Sequence, residues 1–230
     1  LLESYSSICV AGTHGKSTTT GILGQVLSLQ DECAYLIGDG HGYMPEHANH
    51  FVLESCEFQR HFLAYHPDYA IITNIELDHI DYYKDMDDYV SAFQSFANQV
   101  KKGIVIFGDD EYLKNLHYNV PVTTYGLKEG NDYQAVNIEQ GPFGMHFDCK
   151  HNGEILAHIE LNEVGDAFMQ DALGCFALAH MLGMPADLIV QGLQDYKGIA
   201  RRFVIDEVKD SVLVDDYAHH PTAIRLMIDA

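Results

Sequence analysis

The chain has 230 residues, of which 47% are hydrophobic, and it carries 34 acidic against 13 basic side chains, a formal net charge of −21. This length and composition fit one large globular domain, or one domain and part of a second. The negative charge argues against nucleic-acid binding over a broad face, because such a surface repels a phosphate backbone. A small phosphate-bearing ligand remains possible if metal ions and backbone N–H groups neutralise its charge.

The lack of a recognisable targeting signal and the pattern of cysteines indicate a cytoplasmic protein. No apolar stretch approaches the ~20 residues of a membrane span, and the first residues, LLESYSSICVAG, lack the features of a secretory signal. The five cysteines form no CxxC pair, which is typical of reduced thiols. We expect Cys9 and Cys175 to lie in the core. The 14 histidines show no spacing that suggests structural zinc.

The first predicted elements are a strand, a glycine loop and a helix. The apolar run Ser6–Ala11 (SSICVA) fits a fully buried parallel strand. Gly12–Gly15 form the loop, and Lys16–Leu29 have the apolar spacing of a helix.

Further short strands alternate with helical patterns. Residues 87–100 have apolar side chains at helical spacing, which predicts a helix between the third and fourth of these strands. Such alternation predicts a parallel sheet covered on both faces. The predicted strands are Ala34–Ile37, Phe51–Glu54, Tyr69–Thr73 and Gly103–Phe107.

The pattern changes after residue 120. Four short runs separated by turn residues predict an antiparallel meander, in which Asn152-Gly153 is a strong hairpin turn. Two helices, a hairpin around KDS and the start of a helix near Pro221 follow, and we expect the natural sequence to continue beyond Ala230. The meander runs are Val122–Tyr125, Tyr133–Ile138, Gly144–Cys149 and Glu154–Leu161; the helices are Ala167–Leu182 and Pro185–Leu193, and the hairpin is Val204–Asp215.

The glycine loop has the composition of a phosphate-binding loop. Backbone N–H groups of a tight loop and of a helix N-terminus converge on an anion. Lys16 adds a positive charge for the β- and γ-phosphates, and the Ser17 hydroxyl can bind Mg²⁺. The loop is shorter than the general GxxxxGK[ST] pattern, which would require glycine at Val10. We therefore predict a nucleotide site formed by Gly12, Thr13, His14, Gly15, Lys16, Ser17 and Thr18.

Five segments in order resemble the Mur ligases, which join an amino acid to a cell-wall nucleotide precursor. They are GTHGKSTT in the loop, LIGDG at Leu36–Gly40, LESCE at Leu53–Glu57, HPDYAIITNIELDHIDYY at His66–Tyr83, and RRFVIDE…VLVDDYAHHPTAI from Arg201. The resemblance implies an α/β fold, with a P-loop-containing, mainly parallel sheet flanked by helices and a small antiparallel sheet attached. It also implies a central ATP-binding domain at 1–199 and a hinge with the start of a C-terminal domain at 200–230. A UDP-binding domain should precede Leu1.

The resemblance implies ATP and Mg²⁺ as cofactors. It is nearest to the alanine-adding branch, whose reaction joins L-alanine to UDP-N-acetylmuramate through an acyl phosphate. No lysine stands in the helix VSAFQSFANQV, where some relatives carry a carbamylated lysine, which agrees with this branch. We expect small-molecule partners, no membrane span, and no ligation by the fragment alone; the oligomeric state is left open.

Metal ligands are expected where strands end. Glu54 follows the apolar strand Phe51–Leu53, and ligands of an open parallel sheet bind at the carboxyl ends of its strands. A carboxylate there can hold Mg²⁺, and the resemblance assigns this role to Glu54 rather than Glu57. By resemblance His79 is a ligand of a second Mg²⁺, although imidazole prefers transition metals, so that direct or water-mediated contact stays open.

The resemblance also assigns catalytic and substrate residues. Lys16, His79 and Arg202 are the expected catalytic residues, with Arg202 near the γ-phosphate. Asp216, or alternatively Asp215, is expected to contact the nucleotide from the hinge. The expected substrate residues are Thr73 and Asn74, facing the crevice, and Tyr217 and His219, near the amino acid.

One segment departs from the family pattern. Family members carry G-x-H-N-x-x-N at the start of a helix, with asparagines on the adenine side of ATP, whereas Gly165–Asp171 (GDAFMQD) lacks the histidine and both asparagines. Two alternatives stay open. One is a related Mur-type or folylpolyglutamate-type ligase. The other, which this segment keeps open, is a P-loop nucleotide-binding module without ligase activity.

Overall fold

The computed structural model describes residues 4–142, 144–198, 204–208, 211–216, 218 and 220–229. Ten of its strands form one sheet around which the helices pack. The strands of this sheet are β1 (Ser6–Ala11), β2 (Cys33–Leu36), β3 (Gly42–Tyr43), β4 (His50–Glu54), β5 (Tyr69–Ile72), β6 (Gly103–Phe107), β7 (Val122–Gly126), β8 (Tyr133–Gly141), β9 (Gly144–His151) and β10 (Glu154–Leu161).

The sheet order is β10-β9-β8-β7-β6-β5-β1-β4-β2-β3, and the pairs from β2 to β8 are parallel. Only β2/β3, β8/β9 and β9/β10 pair antiparallel among the described strands of this sheet. The mainly parallel fold is thus confirmed. The expected small antiparallel sheet is the continuation of the main sheet beyond β8, rather than a separate layer.

Strand β7 was wrongly predicted as part of the antiparallel meander. It pairs parallel with β6 on one side and with β8 on the other. A short helix connects β6 to β7, and a crossover of this kind returns the chain in the parallel direction. That helix has five residues, too few for apolar periodicity to reveal it.

The helices lie close to their predicted positions. Each of the four predicted long helices ends within three residues of its expected bounds. A 3₁₀ segment at Phe58–Ala64 was not predicted. The helices are α1 (Lys16–Leu27), α2 (Met86–Ala97), α3 (Glu111–Asn115), α4 (Asp166–Met181), α5 (Ala186–Gln194) and α6 (Pro221–Asp229).

The sheet buries side chains on both faces. Along β1, Ile8 and Val10 belong to the core beneath α1, α4 and α5, whereas Cys9 and Ala11 belong to the core beneath α2. Strand side chains alternate between faces, so a strand covered on both sides is apolar throughout. The predicted burial of Cys9 and Cys175 is confirmed, since neither is exposed.

The C-terminal part adds a separate hairpin and one helix. Strands β11 (Val204–Val208) and β12 (Ser211–Asp215) pair antiparallel, as the pattern around KDS predicted. Helix α6 follows and begins at the predicted proline. None of the described helices has both the length and the apolar character needed to cross a membrane.

Candidate functional site

Two glycines shape the loop between β1 and α1. Gly12 has φ 136° and Gly15 has φ 82°, conformations that L-residues rarely adopt. A Cβ atom on Gly12 would lie 2.0 Å from Thr73 Oγ1, so any larger residue would clash there. The N-cap residue of α1 is Gly15, which has no side chain to cap the helix. The N–H groups at a helix N-terminus can bind an anion.

Thr73 and Asn74 support this loop from behind. Thr73 Oγ1 donates to the carbonyl of His14 at 2.5 Å, and Asn74 Oδ1 accepts from the His14 N–H at 2.9 Å. A cleft lies in front of the loop, and neither Thr73 nor Asn74 is among the described residues that line it. The expectation that both face the crevice is corrected, because their hydrogen-bonding groups are directed at the loop backbone.

Thr13 fixes the loop to two further elements. Its hydroxyl donates to the carbonyl of Glu76 at 2.8 Å and accepts from the Glu76 N–H at 2.9 Å. It also lies 2.9 Å from the hydroxyl of Tyr89 on α2. Sequence reasoning did not single out Glu76 or Tyr89, because each meets the loop only through the tertiary structure.

A buried charged network lies beside the loop. Lys16 Nζ lies 2.9 Å from Glu57 Oε2 and donates to the carbonyls of Gly12 at 2.7 Å and Thr13 at 3.0 Å. Glu57 is only 1% exposed. Its Oε1 lies 3.6 Å from His79 Nε2. The lysine therefore supplies a positive charge that balances the buried carboxylate.

The pKa values of this network shift in opposite directions. Burial by itself raises the pKa of Glu57, but the Lys16 ammonium and His79 together outweigh burial and hold the pKa of that carboxyl below its usual value. The Glu57 carboxylate is in turn the main cause that raises the pKa of His79, against a smaller opposing effect of desolvation. Both shifts favour a charged pair.

The two glutamates of LESCE have different surroundings. Glu54 Oε2 accepts from the Gly38 N–H at 2.7 Å, which ties it to the LIGDG segment. Glu57 instead groups with Asp78 and His79, with ligand atoms within 4.8 Å of one another. Ser17, Glu54 and Glu57 all line the cleft. Hydroxyl and carboxylate oxygens are the donors that Mg²⁺ prefers, so the side chains present fit this ion.

The loop forms one wall of a cleft of about 400 Å³. All loop residues from Thr13 to Thr18 line it, as do Glu54 and His79. Lys16 and Glu54 thus share one cleft. Asp216 and His220 also line the cleft. Arg202, Tyr217 and His219 lie outside the described residues.

The segment that departs from the family pattern also lines the cleft. Helix α4 begins at Asp166, and Ala167, Phe168 and Asp171 line the cleft beside the loop. Asp171 is buried, and its Oδ1 would lie 2.3 Å from a Cβ atom on Gly15. A carboxylate and an aromatic ring thus stand where asparagines were expected.

Comparison with known proteins identifies the family. A family model described as the Mur ligase middle domain matches residues 10–179, most of the chain. The chain belongs to the Mur ligase family. Among curated proteins, it is 48% identical over its full length to the UDP-N-acetylmuramate–L-alanine ligase of Pediococcus pentosaceus and 46% to that of Lactiplantibacillus plantarum. The chain spans about half the length of these Mur ligases, 53% in each case.

Solved Mur ligase structures share the fold. The UDP-N-acetylmuramate-alanine ligase MurC from Thermotoga maritima is 28% identical and superposes with a TM-score of 0.83, over 99% of this chain and 54% of that one. The MurF ligase from Thermotoga maritima, solved in complex with ADP, gives a TM-score of 0.84 over 99% of this chain and 57% of that one. At 20% identity, the second comparison supports the Mur ligase fold alone.

Proposed function

We propose that the cleft binds ATP with Mg²⁺, and that the loop at residues 12–18 surrounds the phosphates. The observation that carries this proposal is the convergence of a glycine loop, a helix N-terminus, Lys16 and two carboxylates on one cleft. Phosphates bound at a helix N-terminus gain from both its N–H groups and its dipole. The carboxylates would be unfavourable beside phosphates without an intervening cation.

We assign roles to individual side chains of this cleft. We assign Mg²⁺ to Ser17 and Glu54, and we assign a second ion to the group around His79 and Glu57. Bound Mg²⁺ would neutralise charge on the phosphates. Lys16 would exchange its contacts with Gly12 and Thr13 for phosphate oxygens while it stays near Glu57. We also propose that Arg202 acts near the γ-phosphate and that Asp216 contacts the nucleotide from the hinge. Tyr217 and His219 would lie near the amino acid.

For the whole protein, we propose the reaction that the curated relatives' names describe: addition of L-alanine to UDP-N-acetylmuramate, in peptidoglycan precursor synthesis in the cytoplasm. A carboxylate is a poor electrophile, so the γ-phosphate of ATP would first be transferred to the lactyl carboxylate. The amine of L-alanine would then displace phosphate from the acyl phosphate. The chain's own contribution is positioning and charge stabilisation at the phosphates.

We also propose domain limits, which follow from the similarity to the Mur ligases. We assign residues 1–199 to the central domain and 200–230 to the hinge and the start of a C-terminal domain, with the uridine site on a preceding domain. The 230-residue chain alone should then bind nucleotide without ligation.

Calorimetric titration with MgATP tests the nucleotide site. Lys16→Ala should weaken binding about 10- to 100-fold, since a hydrogen bond to a charged group contributes roughly 1.5–3 kcal/mol. Lys102→Ala is the matched control, because Lys102 pairs with Asp68 on the surface and does not line the cleft. Equal affinity of Lys16→Ala and the unchanged chain would remove Lys16 from the site.

A second candidate, a nucleotide-binding module without ligase activity, is favoured by the unusual residues at 165–171. Trapping of an acyl phosphate by the full-length protein, supplied with ATP and UDP-N-acetylmuramate, separates the two. Formation of the trapped product supports the ligase. ATP hydrolysis that needs no muramate substrate, with no trapped product, supports the module.

A further inference from the structure

Three side chains from distant parts of the sequence meet at the rim of the cleft. His14 belongs to the glycine loop, Glu76 follows β5, and His220 stands immediately before α6. Their ligand atoms all lie within 4.8 Å of one another. This group uses none of the side chains assigned to Mg²⁺ above.

The separations within the group match those of metal ligands. His14 Nε2 lies 3.0 Å from Glu76 Oε2, and His220 Nδ1 lies 4.0 Å from Glu76 Oε1. Zn²⁺ binds nitrogen and oxygen at roughly 2.0–2.2 Å, so two ligand atoms of a tetrahedral site are about 3.4 Å apart. The observed distances bracket this separation. Only small side-chain movements would bring the three donors around one ion.

The carboxylate of Glu76 is already oriented for such a role. Thr222 on α6 donates its hydroxyl hydrogen to Glu76 Oε1 at 2.6 Å, and the rings of His14 and His220 are 4.8 Å apart. Hydrogen bonds of this kind to a coordinating carboxylate fix its direction in metal sites. The three donors are also only partly buried, with side-chain exposures of 19%, 41% and 18%, so that an ion could enter from solvent.

We propose that His14, Glu76 and His220 bind a transition-metal ion of the Zn²⁺ class, which ties α6 to the glycine loop. Two imidazoles and one carboxylate leave the fourth tetrahedral position to water or a ligand. This donor set selects against Mg²⁺, which takes oxygen ligands and which the Ser17 and Glu54 oxygens suit. The net charge of −21 raises the local concentration of cations around the chain.

The site has a structural consequence for the loop. The backbone N–H and carbonyl of Glu76 are also hydrogen-bonded to the Thr13 hydroxyl, so an ion bound by Glu76 and His14 would attach Glu76 to the loop at a second point. His220 would add the third connection, from the C-terminal segment. Metal binding should therefore fix α6 against the central sheet whether or not nucleotide is bound.

Competition titration of the metal-free chain tests the site with Zn²⁺ alone. The chain, freed of metal by a chelator, competes with a chromophoric indicator for Zn²⁺. His220→Ala and Glu76→Gln should each lower the Zn²⁺ affinity at least about 100-fold, because loss of a direct ligand exceeds the 10- to 100-fold cost of losing a supporting residue. Circular dichroism confirms that each variant is folded before titration.

Two control variants make the assignment specific. His158→Ala removes a surface histidine that pairs with Asp148 at 2.5 Å, and His146→Ala removes another that pairs with Glu139 at 3.5 Å. Both should keep the Zn²⁺ affinity of the unchanged chain. Affinity that is unchanged in His220→Ala, or lowered as much in His158→Ala as in His220→Ala, would overturn the proposal.

Cobalt provides a second readout that does not depend on nucleotide or ligase activity. Co²⁺ in the proposed site should give the intense visible absorption of four-coordinate cobalt, and His220→Ala should abolish it. A weak six-coordinate spectrum, identical in both proteins, would contradict the assignment. Because neither readout involves ATP, failure of this proposal and failure of the nucleotide site are distinguishable.

Discussion

Gly12 is the residue on which the shape of the glycine loop most depends. Its φ of 136° is accessible mainly to glycine, and the hydroxyl of buried Thr73 occupies the position of its missing side chain. The backbone N–H groups of Thr73 and Asn74 also lie within 3.2 Å of that position. A methyl group there would displace backbone as well as a side chain. The close approach of β5 to the loop therefore requires glycine at this position.

Gly12→Ala should destabilise the chain and weaken MgATP binding. We expect about 1–3 kcal/mol of lost stability from the clash and the strained backbone, measured by urea denaturation. Gly130→Ala is the matched control, because Gly130 also has positive φ, 99°, but no atom lies within 4 Å of its added Cβ. If the two variants lose equal stability, the clash with Thr73 contributes nothing.

Helix α2 shows how an element remote in sequence supports the loop. Asp85 caps its N-terminus by accepting from the Asp88 N–H at 2.9 Å. The helix buries Tyr89, Phe93 and Phe96 against the sheet, and the Tyr89 hydroxyl reaches Thr13 in the loop. The position of the loop thus depends on the packing of a helix that begins about 70 residues later.

Asp85→Ala should lower the free energy of unfolding by about 0.5–2 kcal/mol, since it removes the cap from α2. Chemical denaturation followed by circular dichroism measures this change. Asp87→Ala serves as the control, because Asp87 is exposed in the first turn and contributes mainly through the helix dipole. A larger loss in Asp87→Ala than in Asp85→Ala would contradict the capping argument.

At the scale of the whole molecule, charge opposes the compact state. The chain carries a net charge of −21, so its surface carboxylates repel one another. The described ion pairs are few relative to 34 acidic side chains, and several of them involve histidine. Screening by salt should therefore weaken the repulsion between carboxylates more than it weakens the attraction within ion pairs.

We expect the thermal unfolding midpoint to rise when NaCl is increased from 10 to 300 mM. Screening shortens the Debye length from about 30 Å to less than 10 Å. A gain of roughly 1 kcal/mol would shift the midpoint by about 2–4 °C for a chain of this size. Tetramethylammonium chloride should act equally, as screening is not specific to sodium. A midpoint that falls with both salts would contradict the repulsion argument.

The sequence by itself determined the elements whose signals are local. The apolar run at Ser6–Ala11 predicted a buried strand, and the glycines with Lys16 and Ser17 predicted a phosphate loop at its end. Helical spacing placed α2, α4 and α5 within a few residues. These features depend on side-chain periodicity and turn chemistry within single segments. Five colinear motifs were also enough to indicate the Mur ligase family.

Only the tertiary structure decided which side chains meet. Glu54 and Glu57 stand three residues apart at the same strand end, yet only Glu57 pairs with Lys16, because the chain turns into the 3₁₀ segment there. Thr73 and Asn74 support the loop rather than face the cleft. The parallel pairing of β7 and the meeting of His14 with His220 likewise escaped prediction. Each depends on contacts between segments distant in sequence, which local spacing does not encode.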